Sequence, residues 1–384
     1  MRFLHTSDWH LGRIFHGVQL IEDQAHVLEQ FISLVRDVKA DVVVIAGDVY
    51  DRAVPPVEAV KLLDETLTRI LLDCRAPVIM IAGNHDSSER LSFGTRLLAR
   101  QGLHVISRVD RGQAPVILND AHGPVYFCPV PYAEPPVVRE ALSVMDTLNH
   151  DSAARLLTGR LLAQVPPGVR TVALAHAFVA GGEQSDSERP LSVGGTGAVD
   201  GSCFEKFHYT ALGHLHSPQR AGDDNIRYAG SLLKYSFAES AGRKSVTLVE
   251  MDAAGGIQVE ETALTPRRDV RCLTGYLHEL LDMAGDNPNR NDYLMVTLND
   301  TGAILDAIGK LRSVYPNVLH IERPCLAAAG ELRGPGGDHR RVSEADLFAS
   351  FFEQVTGEPL GDDLKQTFAT AMENLYRQER EAQL

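Results

Sequence analysis

Asp8-Trp9-His10, Gly47-Asp48-Val49-Tyr50-Asp51, Gly83-Asn84-His85-Asp86, His176 and Gly213-His214-Leu215-His216 are short clusters of carboxylate, amide and imidazole side chains spread along the chain. Hard oxygen ligands mixed with imidazole, with no thiolate on offer, suit first-row divalent ions such as Mn²⁺. Two such ions held about 3.5 to 4 Å apart activate a water and stabilise an attacked phosphate. The chemistry spelled by these residues is phosphodiester hydrolysis at a two-metal centre.

Roles follow from residue type. Asp48 is the natural bridge between two ions. Asp8, His10 and one of the two late histidines would complete one ion; Asn84, His176 and the other late histidine would complete the second. Alternation along a strand would send His214 and His216 to the same side. His85 differs in kind, because its neighbour Asn84 already fills the ligand position. A His85 imidazolium oriented by Asp86 would clamp charge on the phosphate or protonate the leaving oxygen, a general-acid role worth about 10² to 10⁴ in rate. Asp51 and Asp86 are expected to support the ligands from behind. Trp9 reads as a packed support between two ligands, and His5, like most of the remaining histidines, as a core or surface residue.

Taken singly, an Asp and a His after a strand more often make a cap or a solvated turn, and Gly-Asp is equally common as a turn. The clusters gain meaning from their placement. Arg2-Phe3-Leu4 precedes Asp8, and the apolar runs 42–46, 78–82 and 172–175 precede Asp48, Asn84 and His176. Such runs read as buried strands. Ligands therefore leave the carboxyl ends of strands, which in open α/β sheets line the binding crevice.

The elements that must position them are a βαβαβα pattern over residues 1 to about 110. Residues 21–38 and 55–72 carry apolar side chains at helical spacing, and a third helix is expected over 89–100, its apolar residues serving core packing or a dimer contact, with core favoured. From 115 to 261 the pattern shortens into strands with fewer helices, interrupted by a Gly- and Ser-rich loop over 181–201. A small α+β module in the order αβαβ follows, opening on a helix over 271–281. The proposed domains are 1–265 for the catalytic domain, 266–326 for a capping domain, 327–342 for a linker and 343–384 for C-terminal helices opened by Ser343.

The 384-residue chain is 44% apolar, enough for more than one core, and its apolar runs are too short to span a membrane. With no basic leader at the N-terminus, a cytoplasmic location is expected. Its five cysteines are scattered without a CxxC pair, which excludes a zinc knuckle or a disulfide framework. The net charge of −14 argues against tight autonomous nucleic-acid binding. A nuclease is still allowed, because two divalent ions add about four positive charges at the site itself. Residues 343–384 hold nine acidic and three basic residues, a net −6, which suits a protein-docking tail.

With its clusters in this order, the chain resembles the calcineurin-like metallophosphoesterases. The opening Met1 to Gly12, the runs 46–51, 82–87 and 212–216, and the downstream Tyr228-Ala229-Gly230-Ser231 with Ser236-Phe237 are similar to the nuclease subunits of that family that work with an SbcC-type ATPase. The resemblance is strongest over 1 to about 250. It implies a sandwich of two mixed sheets flanked by helices, with a capping domain and C-terminal helices that grip the base of the ATPase coiled coil. It places the metal ligands on Asp8, His10, Asp48, Asn84, His176, His214 and His216, and the catalytic histidine on His85. It further implies two Mn²⁺ ions, with Mg²⁺ as a substitute, and DNA ends and hairpins as substrate. A homodimer within a heterotetramer, nucleoid-associated and without membrane contact, completes the expectation. His176 departs from the usual pattern, since Ala175 stands where a glycine commonly precedes the histidine. Two other readings remain open: a phosphoesterase of small phosphodiesters or phosphoproteins, and a non-catalytic DNA-end tether.

Overall fold

In the computed structural model, residues 1–188, 191, 197–283, 288–301, 304–324, 344–356 and 358–381 are described. Four strands, Arg2–Thr6 (β1), Val42–Ile45 (β2), Val78–Ile81 (β3) and Leu103–Ile106 (β4), pair in parallel, each beside the next. β2 and β3 are buried along their whole length, as continuous Val/Ile runs require when both faces of a sheet are covered. Helix α1 (Ile21–Asp37) makes the first crossover and buries Val27, Leu28, Phe31, Ile32 and Val35 along one face. Helix α2 (Val57–Thr68) makes the second, starting after Pro56 and widening into a π-helical turn at Arg69–Asp73.

The third crossover is not the single helix expected over 89–100. It breaks into two one-turn helices, Ser88–Leu91 and Thr95–Leu98, separated by Gly94 at φ +70°. The first ends at Leu91 with Ser92 as its C-cap, and Gly94 is the N-cap of the second, its carbonyl accepting from the N–H groups of Leu97 and Leu98. Its apolar residues are not core: Phe93 is 87% exposed and Leu97 73%.

The second sheet begins with β5 (Val116–Asp120) and β6 (Gly123–Val130). Two helices then intervene that the sequence reading did not include, α3 (Pro135–Leu142) and α4 (His150–Leu162), the latter opened by an Asn149–Ser152 capping box. The sheet continues through β7 (Arg170–His176), β8 (Tyr209–Gly213), β9 (Gln219–Ala221) and β10 (Asp223–Tyr228), in the order β9-β10-β8-β7-β6-β5. The chain then returns to the first sheet: β11 (Ser245–Met251) pairs antiparallel with β1, Val249 opposite Phe3, and β12 (Ile257–Ala263) closes that edge.

The core lies between the sheets. Phe3, Val42, Val44, Ile79 and Ile81 from one face meet Phe127, Val172, Leu174, Tyr209 and Ala211 from the other. Phe3 sits edge-on to Phe127 and Tyr209, with centroids 6.0 and 5.5 Å away. Each such fully buried large side chain stabilises the fold by about 1.5 to 3 kcal/mol. A second cluster, including Cys128, Ala173 and Ala175, packs under Ala154, Leu157 and Leu161 of α4. The architecture is an α/β sandwich of two mixed sheets flanked by helices.

The chain forms two compact units, Met1–Val270 and Arg271–Leu384. The second does not open on a helix. Val270–Gly275 (β13) is a strand, buried at Val270 and alternating exposed with half-buried residues from Cys272 on, followed by the short helix α5 (Leu277–Asp282). With β14 (Tyr293–Leu298), α6 (Ala307–Arg312) and β15 (Val318–Glu322) the order is βαβαβ, around a core of Leu280, Leu294, Val296, Leu311 and Val318. Helices α7 (Glu344–Thr356) and α8 (Asp362–Glu381) stack Phe348 on Phe368 at 4.1 Å between centroids. The expected linker 327–342, the Ser343 cap and Cys325 lie outside the described residues. Among the described residues, Cys74, Cys128, Cys203 and Cys272 are free thiols, and no helix is long and apolar enough to cross a membrane.

Candidate metal centre

The carboxyl ends of β1, β2 and β3 in one sheet and of β7 and β8 in the other open onto one small volume. Asp8 and His10 follow β1, Asp48 follows β2, Asn84 and His85 follow β3, His176 ends β7, and His214 and His216 follow β8. Backbone bonds clamp these turns together. The Asp8 N–H donates to Gly47 O at 3.0 Å, the His10 N–H to Asp48 O at 2.9 Å, and the His214 N–H to the Asp8 carboxylate at 3.0 and 3.1 Å. The approach is close enough to require glycine at several positions, Gly47 against the His176 ring among them. A Cβ on Gly83 would collide with the Asp48 carboxylate, and one on Gly213 with the Ala46 carbonyl.

The turns are strained as well as tight. Asp8, His10, Asp48 and His214 adopt φ of +53°, +44°, +48° and +111°. Non-glycine residues seldom take positive φ, and such outliers gather at functional sites. His214 and His216 therefore do not alternate along a strand as expected: β8 ends at Gly213, and the left-handed turn carries the two histidines into the site.

His10 Nε2 and His216 Nε2 stand 3.0 Å apart, and Asp48 Oδ2 lies 3.4 Å from His176 Nε2, 3.7 Å from His10 Nε2 and 3.9 Å from His85 Nε2. Asn84 Oδ1 is 2.9 Å from His176 Nε2. Two distinct His/Asp groups capable of coordinating divalent ions result, Asp8 with His10 and His216, and Asp8 with Asp48 and His176; within each the candidate ligand atoms lie within 4.8 Å of one another. A third set, His10, Asp51 and His85, meets the same limit. His214 falls in none of these groups, yet its ring is 5.5 Å from that of His176, and its buried Nε2 has no hydrogen-bond partner. His10 Nδ1 is orphaned in the same way. Buried nitrogens without partners are costly unless something else satisfies them; the nearest carboxylate to His10 Nδ1 is Asp51, at 3.7 Å. The residues fit a pair of divalent cations.

Electrostatics divide the set between groups ready to bind a cation and groups that hold a proton without one. Burial pushes the His10 imidazole well below its usual range and His214 down to about 3, so both offer neutral nitrogens. Asp48 is held well below the carboxylate range: burial opposes its charge, but His176, His10 and His85 prevail. Burial also opposes the charge on His176, yet Asp48 and Asp8 raise it to about 9. Burial raises Asp8.

His85 is not oriented by Asp86. Its Nδ1 pairs with the Asp51 carbonyl at 2.8 Å, while its backbone N–H donates to Asp48 Oδ1 at 2.8 Å. The Asp86 carboxylate instead accepts the backbone N–H groups of Val49, Tyr50 and Gly83, tying the β2 turn to the β3 turn. Asp51 Oδ1 lies 3.7 Å from His10 Nδ1 and accepts from Arg13 at 2.9 Å. Trp9 is fully buried and packs on Phe31, its Nε1 donating to Thr6 Oγ1, and His5 is a core residue bonded to Tyr209 and the Leu212 carbonyl.

Several supporting residues had no sequence signal. Gln24, on the buried face of α1, accepts from Gly12 N and donates to the carbonyls of His10 and Trp9; Tyr235 donates to Trp9 O at 2.6 Å. For Gln24 the signal was weak: a polar residue beside Asp23 at the start of a mostly apolar buried face. Ser187, Glu188, Glu239 and Lys244 build a second framework behind His216.

Residues 1–218 match the family model described as calcineurin-like phosphoesterase. The chain belongs to the calcineurin-like phosphoesterase family. Residues 266–356 match a second model, SbcD_C, described as the type 5 capsule protein repressor C-terminal domain. A phosphoesterase domain followed by this domain matches the SbcD nuclease architecture. Among solved structures, a hypothetical protein from Thermus thermophilus is similar at 14% identity, covering 69% of this chain and 100% of its own, with a TM-score of 0.39. A dimetal phosphatase from Danio rerio is similar at 13% identity, over 69% of this chain and 98% of its own, with a TM-score of 0.39.

Proposed function

We propose that the chain is a Mn²⁺-dependent DNA nuclease subunit that, with an SbcC-type ATPase, cleaves DNA ends and hairpins in repair and recombination. It would act as a double-strand exonuclease and a single-strand endonuclease. The observation that carries the reading is the Asp48 carboxylate, which faces His10, His176 and His85 at once in a buried volume walled by imidazoles. Asp8, His10 and His216 would hold one ion, and Asn84, His176 and His214 the other, with Asp48 between them. Such ions supply a nucleophile at neutral pH and neutralise charge on the attacked phosphate.

The chain's own residues do the rest. The Asp51 carbonyl fixes the His85 ring from one side, leaving Nε2 facing the site, where a protonated ring can give its proton to the leaving oxygen. Asp86 keeps the turns that carry Asp48 and Asn84 in register. Trp9 and Gln24 brace the Asp8–His10 turn from below. With a net charge of −14, the chain relies on its ions and its partner for the field that draws in DNA. Helices α7 and α8 are the docking element for the ATPase, and exposed Phe93 and Leu97 suit a homodimer contact.

The test is cleavage of an end-labelled hairpin duplex in Mn²⁺, by the chain alone and with its ATPase partner plus ATP. Cutting that needs Mn²⁺ and grows with partner and ATP is expected. Hydrolysis of a small phosphodiester without any DNA cutting would keep the metal centre and discard the nuclease assignment.

A further inference from the structure

Behind His216 lies a framework of buried charge that touches no candidate ligand except that one. Lys244, 7% exposed, spends all three ammonium protons at once: on Glu239 Oε2 at 2.5 Å, on the His216 carbonyl at 2.6 Å and on Ser231 Oγ at 2.8 Å. Glu239, 5% exposed, is thereby kept an acceptor. Its other oxygen meets Ser187 Oγ at 2.5 Å and the Tyr235 N–H at 3.3 Å. Ser187 Oγ in turn meets His216 Nδ1 at 2.6 Å and Ser185 Oγ at 2.8 Å. One residue along, Glu188 accepts the His216 backbone N–H at 2.8 Å.

A serine hydroxyl has a single proton to give. An ionised carboxylate has none, so the proton between Ser187 and Glu239 is the serine's. The hydrogen bond between Ser187 and His216 must then use a proton on Nδ1. A neutral imidazole protonated at Nδ1 carries its lone pair on Nε2, the atom that stands 3.0 Å from His10 Nε2 at the centre of the site. Histidine ligands commonly have their free nitrogen tied to a carboxylate, which fixes tautomer and ring orientation. Here the carboxylate is one hydroxyl further away.

We propose that Glu239, acting through Ser187, is a positioning residue that fixes His216 as the Nδ1–H tautomer and so aims its Nε2 lone pair at a divalent ion; this rests on the two-metal reading above. The segment carrying Ser187 and Glu188 thereby takes part in metal retention, although neither residue is a ligand.

Imidazole ¹⁵N spectra of the metal-free full chain read the tautomer directly. Wild type is expected to give His216 with its proton on Nδ1, and Ser187→Ala a mixture of both tautomers. Calorimetric titration with Mn²⁺ should find one of two sites weakened about 10- to 100-fold in Ser187→Ala, with Ser187→Thr restoring it. Glu239→Gln should weaken the same site, and because it strips Lys244 of its counter-charge and can unfold the chain, Ser187→Ala decides. An Nε2–H tautomer in wild type, or unchanged spectra and affinity in Ser187→Ala, overturns the inference alone. A wild-type chain that takes up no Mn²⁺ while His216 keeps its Nδ1 proton overturns the metal reading, and this inference with it.

Discussion

The His85 ring is anchored by the backbone carbonyl of Asp51, at 2.8 Å from Nδ1, and not by the carboxylate of its sequence neighbour Asp86. The carbonyl fixes the orientation of the ring and leaves Nε2 on the side of the Asp48 carboxylate, 3.9 Å away, with no ligand duty of its own. His85→Asn should therefore leave Mn²⁺ affinity unchanged within about twofold while turnover falls by about 10² to 10⁴. Calorimetry alongside steady-state cleavage checks this, and loss of metal in the variant would count against the assigned role.

Asp86 has a different duty with its own signature. Its carboxylate satisfies three backbone donors, Val49, Tyr50 and Gly83, from two neighbouring turns. Asp86→Ala leaves those donors unpaired in a crowded place, at a cost of about 3 kcal/mol in urea unfolding. Asp86→Asn keeps one acceptor oxygen and should lose less.

Gly213 lets β8 run close beneath β2. Gly213→Ala drives a Cβ into the Ala46 carbonyl, and the backbone must shift where it holds His214. The expected result is destabilisation by about 3 kcal/mol together with weakened Mn²⁺ uptake, measured by thermal unfolding with and without the ion.

How much of this was legible in the sequence depended on the range of the interaction. Continuous Val/Ile runs before Asp48 and Asn84 announced buried strands, because burial on both faces leaves few other choices. That Asp8, Asp48, Asn84 and the late histidines converge on one volume was legible because few residue types offer oxygen and imidazole nitrogen at the ends of buried strands. Segment 271–281 misled because a short alternating strand followed by one helical turn carries apolar residues at spacings that also fit a helix. Phe93 and Leu97 misled for a related reason: spacing places apolar residues on one side but does not say what covers them. The framework behind His216 joins Ser187 to Glu239, 52 residues further on, through a single hydrogen bond, for which no local pattern exists.

Away from the site, Asp120 and Arg170 form a buried pair, 8% and 5% exposed, that ties the β5 turn to β7. The Arg170 guanidinium holds the Asp120 carboxyl well below its ordinary value of 3.8. Its stabilisation is therefore fully present above that value and is lost as pH falls through the lower, folded-state one. Asp120→Asn should cost about 3 kcal/mol at neutral pH, by leaving a buried guanidinium uncompensated, and the gap from wild type should narrow on acidification below pH 3.8. Denaturant melts at stepped pH test both parts.

The positive φ angles at Asp8, His10, Asp48 and His214 give the chain a peculiar evolutionary exposure. At each of these positions glycine would relax the backbone while deleting a reactive side chain. Drift toward a sturdier fold and drift toward an inert one thus share the same first steps. A chain that carries these four side chains keeps them at the cost of backbone strain that glycine would release.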